Sequence, residues 1–197
     1  MAFEHCATEA FRKELIALIP QMRAFARSLC GDATAGDDLA QEALLKAWTA
    51  NQSYQPGTNM KAWVFMIVRN QFFSDKRRSW RSSQLDPETA ERTLVAVTNA
   101  TGTLELDELR RALQLLPDDQ REALILVGAG GFSYEEVAEI ADCAVGTIKS
   151  RVSRARDRIA LILAEGSFEK DDLPATHAMA SILAQLAHAS RGARIAA

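Results

Sequence analysis

The sequence lacks the features of exported proteins, of membrane-spanning proteins and of proteins stabilised by disulfides or bound metal ions. Its 197 residues contain no apolar run long enough to cross a bilayer, and the first residues carry charge where a signal peptide would be apolar. The three cysteines, Cys6, Cys30 and Cys143, lie far apart without a C-x-x-C pair, and there are only three histidines. We therefore expect no disulfide framework, no metal site and no membrane contact, in a reduced protein located in the cytoplasm.

The sequence also lacks a grouping typical of an active site. The glycine-rich stretch Gly128–Gly131 is not followed by the Lys-Ser/Thr pair of a phosphate-binding loop, and no Ser/His/acid or Cys/His set is indicated. The adjacent carboxylates Asp37–Asp38 and Asp118–Asp119 are predicted to lie in first helical turns, where they complement the helix dipole. We predict that the protein is not an enzyme and has no catalytic residue, no cofactor and no small-molecule substrate.

Positive charge is concentrated in two segments of an otherwise acidic chain. The sequence has 23 Lys and Arg against 26 Asp and Glu, a formal net charge of −3. Lys61–Ser82 nevertheless holds six cations and one carboxylate, and Cys143–Arg158 holds five cations and one carboxylate. Two basic segments indicate two separate contacts with a polyanion. Because the acidic remainder weakens attraction to phosphates, we expect poor DNA binding by the chain alone.

The hydrophobic periodicity is helical and predicts an all-α fold of two small helical domains joined by a flexible linker. Pro20 interrupts the first apolar stripe and is predicted to start a new helix. A short helical turn is expected near Pro87–Leu94, and a weakly amphipathic, alanine-rich helix at His177–Ala189. The predicted parts are an N-terminal domain at 8–83, a linker at 84–103, a C-terminal helix-turn-helix domain at 104–165 and a tail at 166–197.

The strongest local pattern is a helix-turn-helix between Ser133 and Arg158. Ser133 and Glu136 form the S-x-x-E capping box of a short helix, and apolar residues then recur at the spacing of a second helix. The opposite side of that second helix carries hydroxyls and cations that can enter a major groove, although a solvated basic helix in a bundle would share the pattern. The predicted DNA contacts are Thr147, Lys149, Ser150, Arg151, Ser153 and Arg154.

Two further segments carry patterns of interest. Lys61–Arg81 interleaves five aromatic residues with six cations, which suits melted DNA because unpaired bases stack on aromatic rings. Taken singly, Trp63 and Phe72 suit a hydrophobic core, and a solvated face would equally explain the cations. In Asp37–Trp48, an acidic and apolar stripe lies opposite the buried side of a helix. It fits a docking surface for a basic partner and an ordinary exposed face equally well.

Together these elements resemble the RNA polymerase sigma factors of the extracytoplasmic-function (ECF) class, over about residues 10–163. DDLAQEALLKAW resembles region 2.2, which docks on the β′ clamp helices of the polymerase, and the contacts implied there are Asp38, Gln41, Glu42 and Leu45. KAWVFMIVRNQFFSDKRR is similar to regions 2.3 and 2.4, which melt and recognise the −10 element. The residues implied are Trp63, Arg69, Asn70, Lys76, Arg77 and Arg78, with the loop Tyr54–Asn59 as a pocket for a flipped base.

The segment LPDDQREALILVGAGGFSYEEVAEIADCAVGTIKSRVSRARDRI resembles region 4, which recognises the −35 element. Its part LILVGAGGFSYEEVAEI and the extended tail resemble the general-stress-response branch, whose members are held inactive by a small anti-sigma protein. Ala144 departs from the proline that related sequences often carry, which affects rigidity at the turn. The resemblance implies initiation at stress-response promoters, with core polymerase (β′ clamp helices and β flap), promoter DNA and an anti-sigma factor as partners. It also implies that the acidic linker residues Asp86, Glu88 and Glu91 thread toward the RNA exit path.

Two other functions are compatible with parts of the sequence. A stand-alone helix-turn-helix regulator would bind duplex DNA without polymerase and as a dimer, yet the chain shows no dimer heptad. A sigma mimic that acts as a protein-binding decoy would not need the cations at Lys149, Arg151 and Arg154.

Overall fold

In the computed structural model every described element is a helix, and the chain divides into two compact units, Met1–Thr98 and Asn99–Ala197. The backbone is described for residues 2–85 and 104–164, and side chains for residues 9–81 and 108–164. The predicted all-α class is confirmed. The acidic linker residues, the helical turn near Pro87–Leu94 and the tail with its helix at His177–Ala189 lie outside the described residues. Among the described residues, none of the helices has the length and apolar composition that a bilayer span requires.

The described part of the first unit, residues 2–85, forms α1 (Ala2–Cys30), α2 (Ala33–Thr49) and α3 (Met60–Leu85), with a 3-10 turn at Asn51–Ser53. Each α-helix packs against the other two. The rings of Phe25 on α1 and Phe65 on α3 stack with their centroids 4.8 Å apart. The fully buried side chains that form this core include Leu15, Met22, Leu29, Met60, Val64 and Val68.

The first helix continues through Pro20, so the predicted helix start at that residue is wrong. Proline has no N–H and leaves the carbonyl four residues earlier, that of Ile16, without its helical donor. Pro20 and Ile16 both lie on the exposed side of α1, where water can replace that donor. The buried side of the helix, with Leu18 and Met22, keeps its packing on either side of the proline.

Helices α1 and α2 cross in close contact at Gly36. A Cβ atom at this position would lie 2.5 Å from Arg27 Cα and 2.7 Å from Arg27 N, so the crossing leaves no space for a side chain. Gly31, with φ of 75°, ends α1 in the left-handed conformation that glycine adopts most easily. Asp32 then caps α2, its side chain accepting a hydrogen bond of 2.7 Å from the Ala35 N–H.

Next to this crossing, two arginines of α1 hold the Asp37 carboxylate on α2. The Arg27 Nε and Nη2 atoms donate to Asp37 Oδ1 and Oδ2 at 2.8 and 2.7 Å. The Arg23 Nε and Nη2 atoms donate to the same two oxygens at 3.1 and 2.7 Å. Hydrogen bonds from Arg27 and then Arg23 hold the pKa of Asp37 well below its usual range. This carboxylate therefore stays charged throughout the physiological pH range.

The prediction that Asp37–Asp38 lie in the first turn of a helix and complement its dipole is wrong. Helix α2 begins at Ala33, so the two carboxylates lie beyond its first turn, and the capping role belongs to Asp32. The same prediction is confirmed for Asp118–Asp119, which occupy the first turn of α5. The difference arises because Asp37 is positioned by tertiary contacts with α1, which local sequence rules do not include.

The second unit contains α4 (Leu104–Gln114), α5 (Asp118–Gly128), α6 (Tyr134–Ala141) and α7 (Val145–Ala164), and α7 packs against the other three. The predicted capping box is confirmed, since the Glu136 N–H donates to Ser133 Oγ at 3.1 Å and the Ser133 N–H donates to Glu136 Oε2 at 2.8 Å. Asp142, with φ of 50°, makes the turn between α6 and α7. The buried stripe of α7 is Ile148, Val152, Ala155 and Ile159.

A buried arginine secures the connection between α4 and α5. The side chain of Arg121 pairs with Asp118, and its Nη1 atom donates to the Gln114 and Leu116 carbonyls at 3.4 and 3.5 Å. Only 4% of Arg121 is exposed. A buried guanidinium needs such partners because its desolvation is costly, so these contacts tie the start of α5 to the end of α4.

Substitution of Gly36 tests the helix crossing. We expect Gly36→Ala to lower the free energy of unfolding by about 1–3 kcal/mol, because the α1 backbone must move away from the new methyl group. The matched control is Gly146→Ala in α7, where no neighbouring atom lies within 4 Å of the new Cβ. That variant should be neutral or stabilised by about 0.4–1 kcal/mol. Urea denaturation measures both, and equal effects at the two glycines would contradict the close crossing.

The pH dependence of unfolding tests the Asp37 contacts. A folded-state pKa below the unfolded value of about 3.9 means that the carboxylate stabilises the fold above that pH and loses this contribution as the pH falls further. The melting temperature of Asp37→Asn should therefore lie below wild type by a constant amount from pH 7 to about 5, with the gap shrinking below about 4. Asp38→Asn, with an exposed carboxylate, is the control. A gap for Asp37→Asn that does not change with pH would refute the charged interaction.

Candidate nucleic-acid and polymerase interfaces

The residues predicted to contact polymerase lie together on the exposed side of α2. The buried side of this helix carries apolar residues, Leu39 and the smaller Ala40, Ala43 and Ala47. Leu45 and Trp48 are large apolar residues, yet they are 62% and 43% exposed. An exposed apolar strip beside carboxylates provides both contact area and charge for a partner. The predicted contacts Asp38, Gln41, Glu42 and Leu45 are all exposed.

An apolar groove borders this face on the α1 side. It has a volume of about 340 Å³. Ile16 on its α1 wall is 52% exposed, so part of the groove is open to solvent. The groove extends the exposed face of α2 beyond the residues that the sequence indicated, because its other wall belongs to α1. Its lining residues are Arg12, Leu15, Ile16, Ile19, Gln41, Leu44, Leu45 and Trp48.

The aromatic residues of α3 divide between the core and the surface. Phe72 is 5% exposed and belongs to the core. Trp63 is half-buried, with its ring centroid 5.3 Å from that of Tyr54 and 6.1 Å from that of Phe11. Trp63 therefore links α3 to the loop before it and keeps part of its ring accessible.

Arg69 and Asn70 form a connected pair on the surface of α3. The Arg69 guanidinium carbon lies 4.9 Å from the Phe73 ring centroid, and Arg69 Nη1 donates to Asn70 Oδ1 at 3.1 Å. Asn70 is exposed, so a ligand can reach its side chain. The predicted contacts Lys76, Arg77 and Arg78 follow along α3 and are all exposed.

The loop Tyr54–Asn59 closes one side of a groove of about 310 Å³ against α1. The Tyr54 hydroxyl donates to the Thr58 carbonyl at 2.9 Å, and Gly57 has φ of 89°, so the loop has a defined turn. The sequence pattern indicated this loop but not the α1 residues opposite it, because that juxtaposition is tertiary. The groove is lined by Ala10, Phe11, Glu14, Asn51, Tyr54, Pro56 and Gly57.

In the second unit, the residues predicted on α7 fall into exposed and half-buried sets. Lys149, Ser153 and Arg154 are exposed on the side opposite the buried stripe. Thr147 and Ser150 are half-buried, and the Ser150 hydroxyl donates to the Thr147 carbonyl at 2.9 Å. The helix therefore brings three of its six predicted contacts fully to the surface.

Arg151 differs from the other cations of α7 because it turns toward the rest of its unit. Its Nε atom lies 3.1 Å from Asp119 Oδ2 on α5, and its Nη1 atom lies 3.8 Å from Cys143 Sγ in the turn. The side chain of Arg151 is 23% exposed. These contacts connect the start of α7 to α5, a function that the sequence pattern did not indicate.

The two units match two known families in chain order. Residues 16–82 match sigma-70 region 2, and residues 106–159 match sigma-70, region 4. The chain is 50% identical over 168 residues to the ECF RNA polymerase sigma factor EcfG of Rhodopseudomonas palustris (strain TIE-1), covering 84% of this chain and 93% of that protein. It is 36% identical over 135 residues to the ECF RNA polymerase sigma-E factor of Escherichia coli (strain K12), covering 62% of this chain and 70% of that protein.

A solved structure agrees with these relatives. The sigma factor RpoE of Bartonella quintana, in complex with the anti-sigma factor NepR, matches with a TM-score of 0.72 and 44% identity, covering 79% of this chain and 98% of that chain. The resemblance seen in the sequence is confirmed. With helices that carry region 2 and region 4 in order, the chain belongs to the ECF RNA polymerase sigma factors, of the EcfG type.

Proposed function

We propose that this sigma factor docks on core RNA polymerase through the exposed face of α2. The observation that carries the proposal is the division of α2 into a buried, apolar side and a side that leaves Asp38, Gln41 and Leu45 in solvent. On this face, Asp38, Gln41 and Glu42 pair with polar and basic groups of the β′ clamp helices, and Leu45 supplies apolar contact. An ion pair across such a rim mainly sets orientation and association rate.

The −35 element is recognised by the exposed side of α7. Lys149 and Arg154 bind guanine edges or phosphates, and Ser153 adds a short polar contact. Thr147 and Ser150 are half-buried and line the edge of the contact. Arg151 acts by orienting α7 through Asp119, and its remaining exposed surface is available to a phosphate. The same domain contacts the polymerase β flap.

The −10 element is opened by α3 and the Tyr54–Asn59 loop. Unstacking a base step costs a few kcal/mol, which must be offset by binding the exposed bases. Asn70 has hydrogen-bonding groups for base edges, Arg69 and the exposed part of Trp63 provide stacking surfaces, and Lys76, Arg77 and Arg78 bind phosphates. The groove beside Tyr54 accepts the flipped base. Phe72 supports this surface from the core.

Polymerase makes the two weak DNA contacts act together. When the core enzyme holds both parts of the chain, binding of one part to its promoter element raises the effective concentration of the other part at the second element. The affinity for the whole promoter therefore exceeds the affinity for either element alone. The chain supplies recognition and strand capture, and the polymerase supplies the chemistry, so the protein is not itself an enzyme. Because it works on polymerase, we place it in the cytoplasm.

The relatives support a further partner. The similar Bartonella quintana protein is bound by the anti-sigma factor NepR. We infer that a small anti-sigma factor holds this chain inactive, and that its release activates stress-response genes. A stand-alone regulator or a decoy is less well supported, because neither would need exposed polymerase-binding and −35-binding surfaces in one chain.

Co-migration with core polymerase tests the α2 interface. We expect the wild-type chain to elute with purified core enzyme in size-exclusion chromatography, and Asp38→Ala/Gln41→Ala to elute separately because both polar contacts are lost. The control is Glu135→Ala/Glu139→Ala, which removes two exposed carboxylates from α6. It should co-migrate like wild type. Equal co-migration of all three folded proteins would exclude the α2 face as the docking site.

Promoter binding by the assembled enzyme tests the α7 assignments. If Arg154 or Lys149 contacts a base, its alanine variant should lose about 1–3 kcal/mol of binding to promoter DNA with an intact −35 element. The loss should disappear on DNA with a scrambled −35 element, as measured by fluorescence anisotropy. Lys13→Ala, an exposed cation on α1, is the control. Unchanged preference between the two DNAs in both α7 variants would remove these residues from the −35 site.

A further inference from the structure

A buried polar side chain connects α3 to α2. Gln71 on α3 is 2% exposed, whereas the other buried side chains described on this helix are apolar. Its Oε1 atom accepts a hydrogen bond from Lys46 Nζ on α2, and its Nε2 atom donates to Asp75 Oδ1 and Oδ2 at 3.0 and 2.8 Å. The amide is therefore bound at both ends, which satisfies the polar groups that burial removes from water.

The charges on either side of Gln71 select one orientation of its amide. An ammonium group can only donate hydrogen bonds, so Lys46 must face the amide oxygen. An ionised carboxylate can only accept them, so Asp75 must face the amide nitrogen. The reversed amide would place its nitrogen against the ammonium group and its oxygen against the carboxylate. The cation on α2 thus directs the Gln71 amide nitrogen at Asp75.

Asp75 also contacts Arg78, one of the residues that we assign to phosphate binding. Arg78 Nη1 lies 3.6 Å from Asp75 Oδ1, and the Arg78 side chain is 78% exposed. Both Asp75 oxygens already accept hydrogen bonds from Gln71, and the contact with Arg78 is longer than the close pairs that a guanidinium forms with a carboxylate. A guanidinium held at this distance can exchange the carboxylate for a phosphate group.

We propose that Gln71 and Lys46 are positioning residues for the DNA contact of Arg78. The Gln71 amide occupies Asp75 and prevents this carboxylate from forming a close pair with Arg78, which leaves the guanidinium available to a phosphate. Lys46 holds the amide in the orientation that makes this possible. The inference rests on the proposed role of α3 at the −10 element, and it gives a function to two residues outside the proposed contacts.

Double-mutant cycles test this positioning role. The variant is Gln71→Met, which keeps the length of the side chain but can no longer donate to Asp75. It is made alone, together with Asp75→Asn and together with Arg78→Ala, and Gln21→Met on the exposed side of α1 is the matched control. Each full chain is assembled with core polymerase. Binding to promoter DNA with an unpaired −10 segment is then measured by fluorescence anisotropy at several salt concentrations.

We expect Gln71→Met to weaken DNA binding about threefold and to lower the magnitude of the salt slope by about one, because Asp75 then competes with one phosphate for Arg78. The same substitution should have no effect once Asp75→Asn has removed the competing carboxylate, or once Arg78→Ala has removed the guanidinium. Gln21→Met should bind like wild type. A purely structural role of Gln71 would instead produce the same loss in all three backgrounds.

Lys46→Met provides a second test, which decides the question if urea denaturation shows that Gln71→Met does not fold. The Lys46 side chain is 52% exposed, so its replacement leaves the core of the unit unchanged. Its Nζ atom also lies 3.9 Å from Glu42 Oε1, a proposed polymerase contact, so assembly with polymerase is measured separately by size-exclusion chromatography. We expect Lys46→Met to weaken DNA binding more in the wild-type background than together with Asp75→Asn.

The contrary results separate this inference from the function on which it rests. If Arg78→Ala weakens DNA binding but Gln71→Met and Lys46→Met do not, the inference is wrong and the proposed −10 function stands. The same holds if the losses persist at full size together with Asp75→Asn. If Arg78→Ala binds DNA like wild type, the phosphate contact of Arg78 fails and the inference fails with it. If the assembled wild-type enzyme does not bind this DNA, the proposed −10 function itself fails.

Discussion

The Asp37 carboxylate, held between Arg23 and Arg27, fixes how α2 is rotated about its own axis. Successive residues of a helix are separated by about 100°, so anchoring Asp37 to α1 turns Asp38 toward solvent. Leu45, two turns further on, then lies on the same exposed side. Gly36 makes this arrangement possible because it lets the two helices approach without a side chain between them. The face that we assign to polymerase docking thus depends on an interaction in which none of its own residues takes part.

In the second unit, different residues determine which side of a helix faces solvent. The buried stripe of α7 determines which side of the helix is exposed, and Lys149 and Arg154 lie on that side. The ion pair between Arg151 and Asp119 then ties the beginning of α7 to α5. In both units apolar burial selects a face and a charged pair fixes its orientation. Such preorganisation lowers the entropy cost of binding, which favours the two DNA contacts that we propose.

The features that were predictable from the sequence are those determined by neighbours along the chain. The Ser133–Glu136 capping box and the buried stripe of α7 need only short spacings, and both are present in the structure. The predicted helix start at Pro20 is wrong because a proline is tolerated on an exposed helix side, and exposure depends on the whole fold. The partners of Asp37 and Arg151 lie on other helices, so no local pattern reveals them. The α1 walls of the grooves beside α2 and beside the Tyr54–Asn59 loop could not be predicted for the same reason.

Permanganate reactivity of promoter thymines tests the central claim most directly, because it detects unstacked bases at the −10 element. The account predicts reactive thymines when core polymerase and this chain are both present, and none with either component alone. It also predicts that scrambling either promoter element sharply reduces the signal, since the two contacts act together. Reactivity that the chain produces without polymerase, or its absence with the assembled enzyme on a promoter that it binds, would contradict the account.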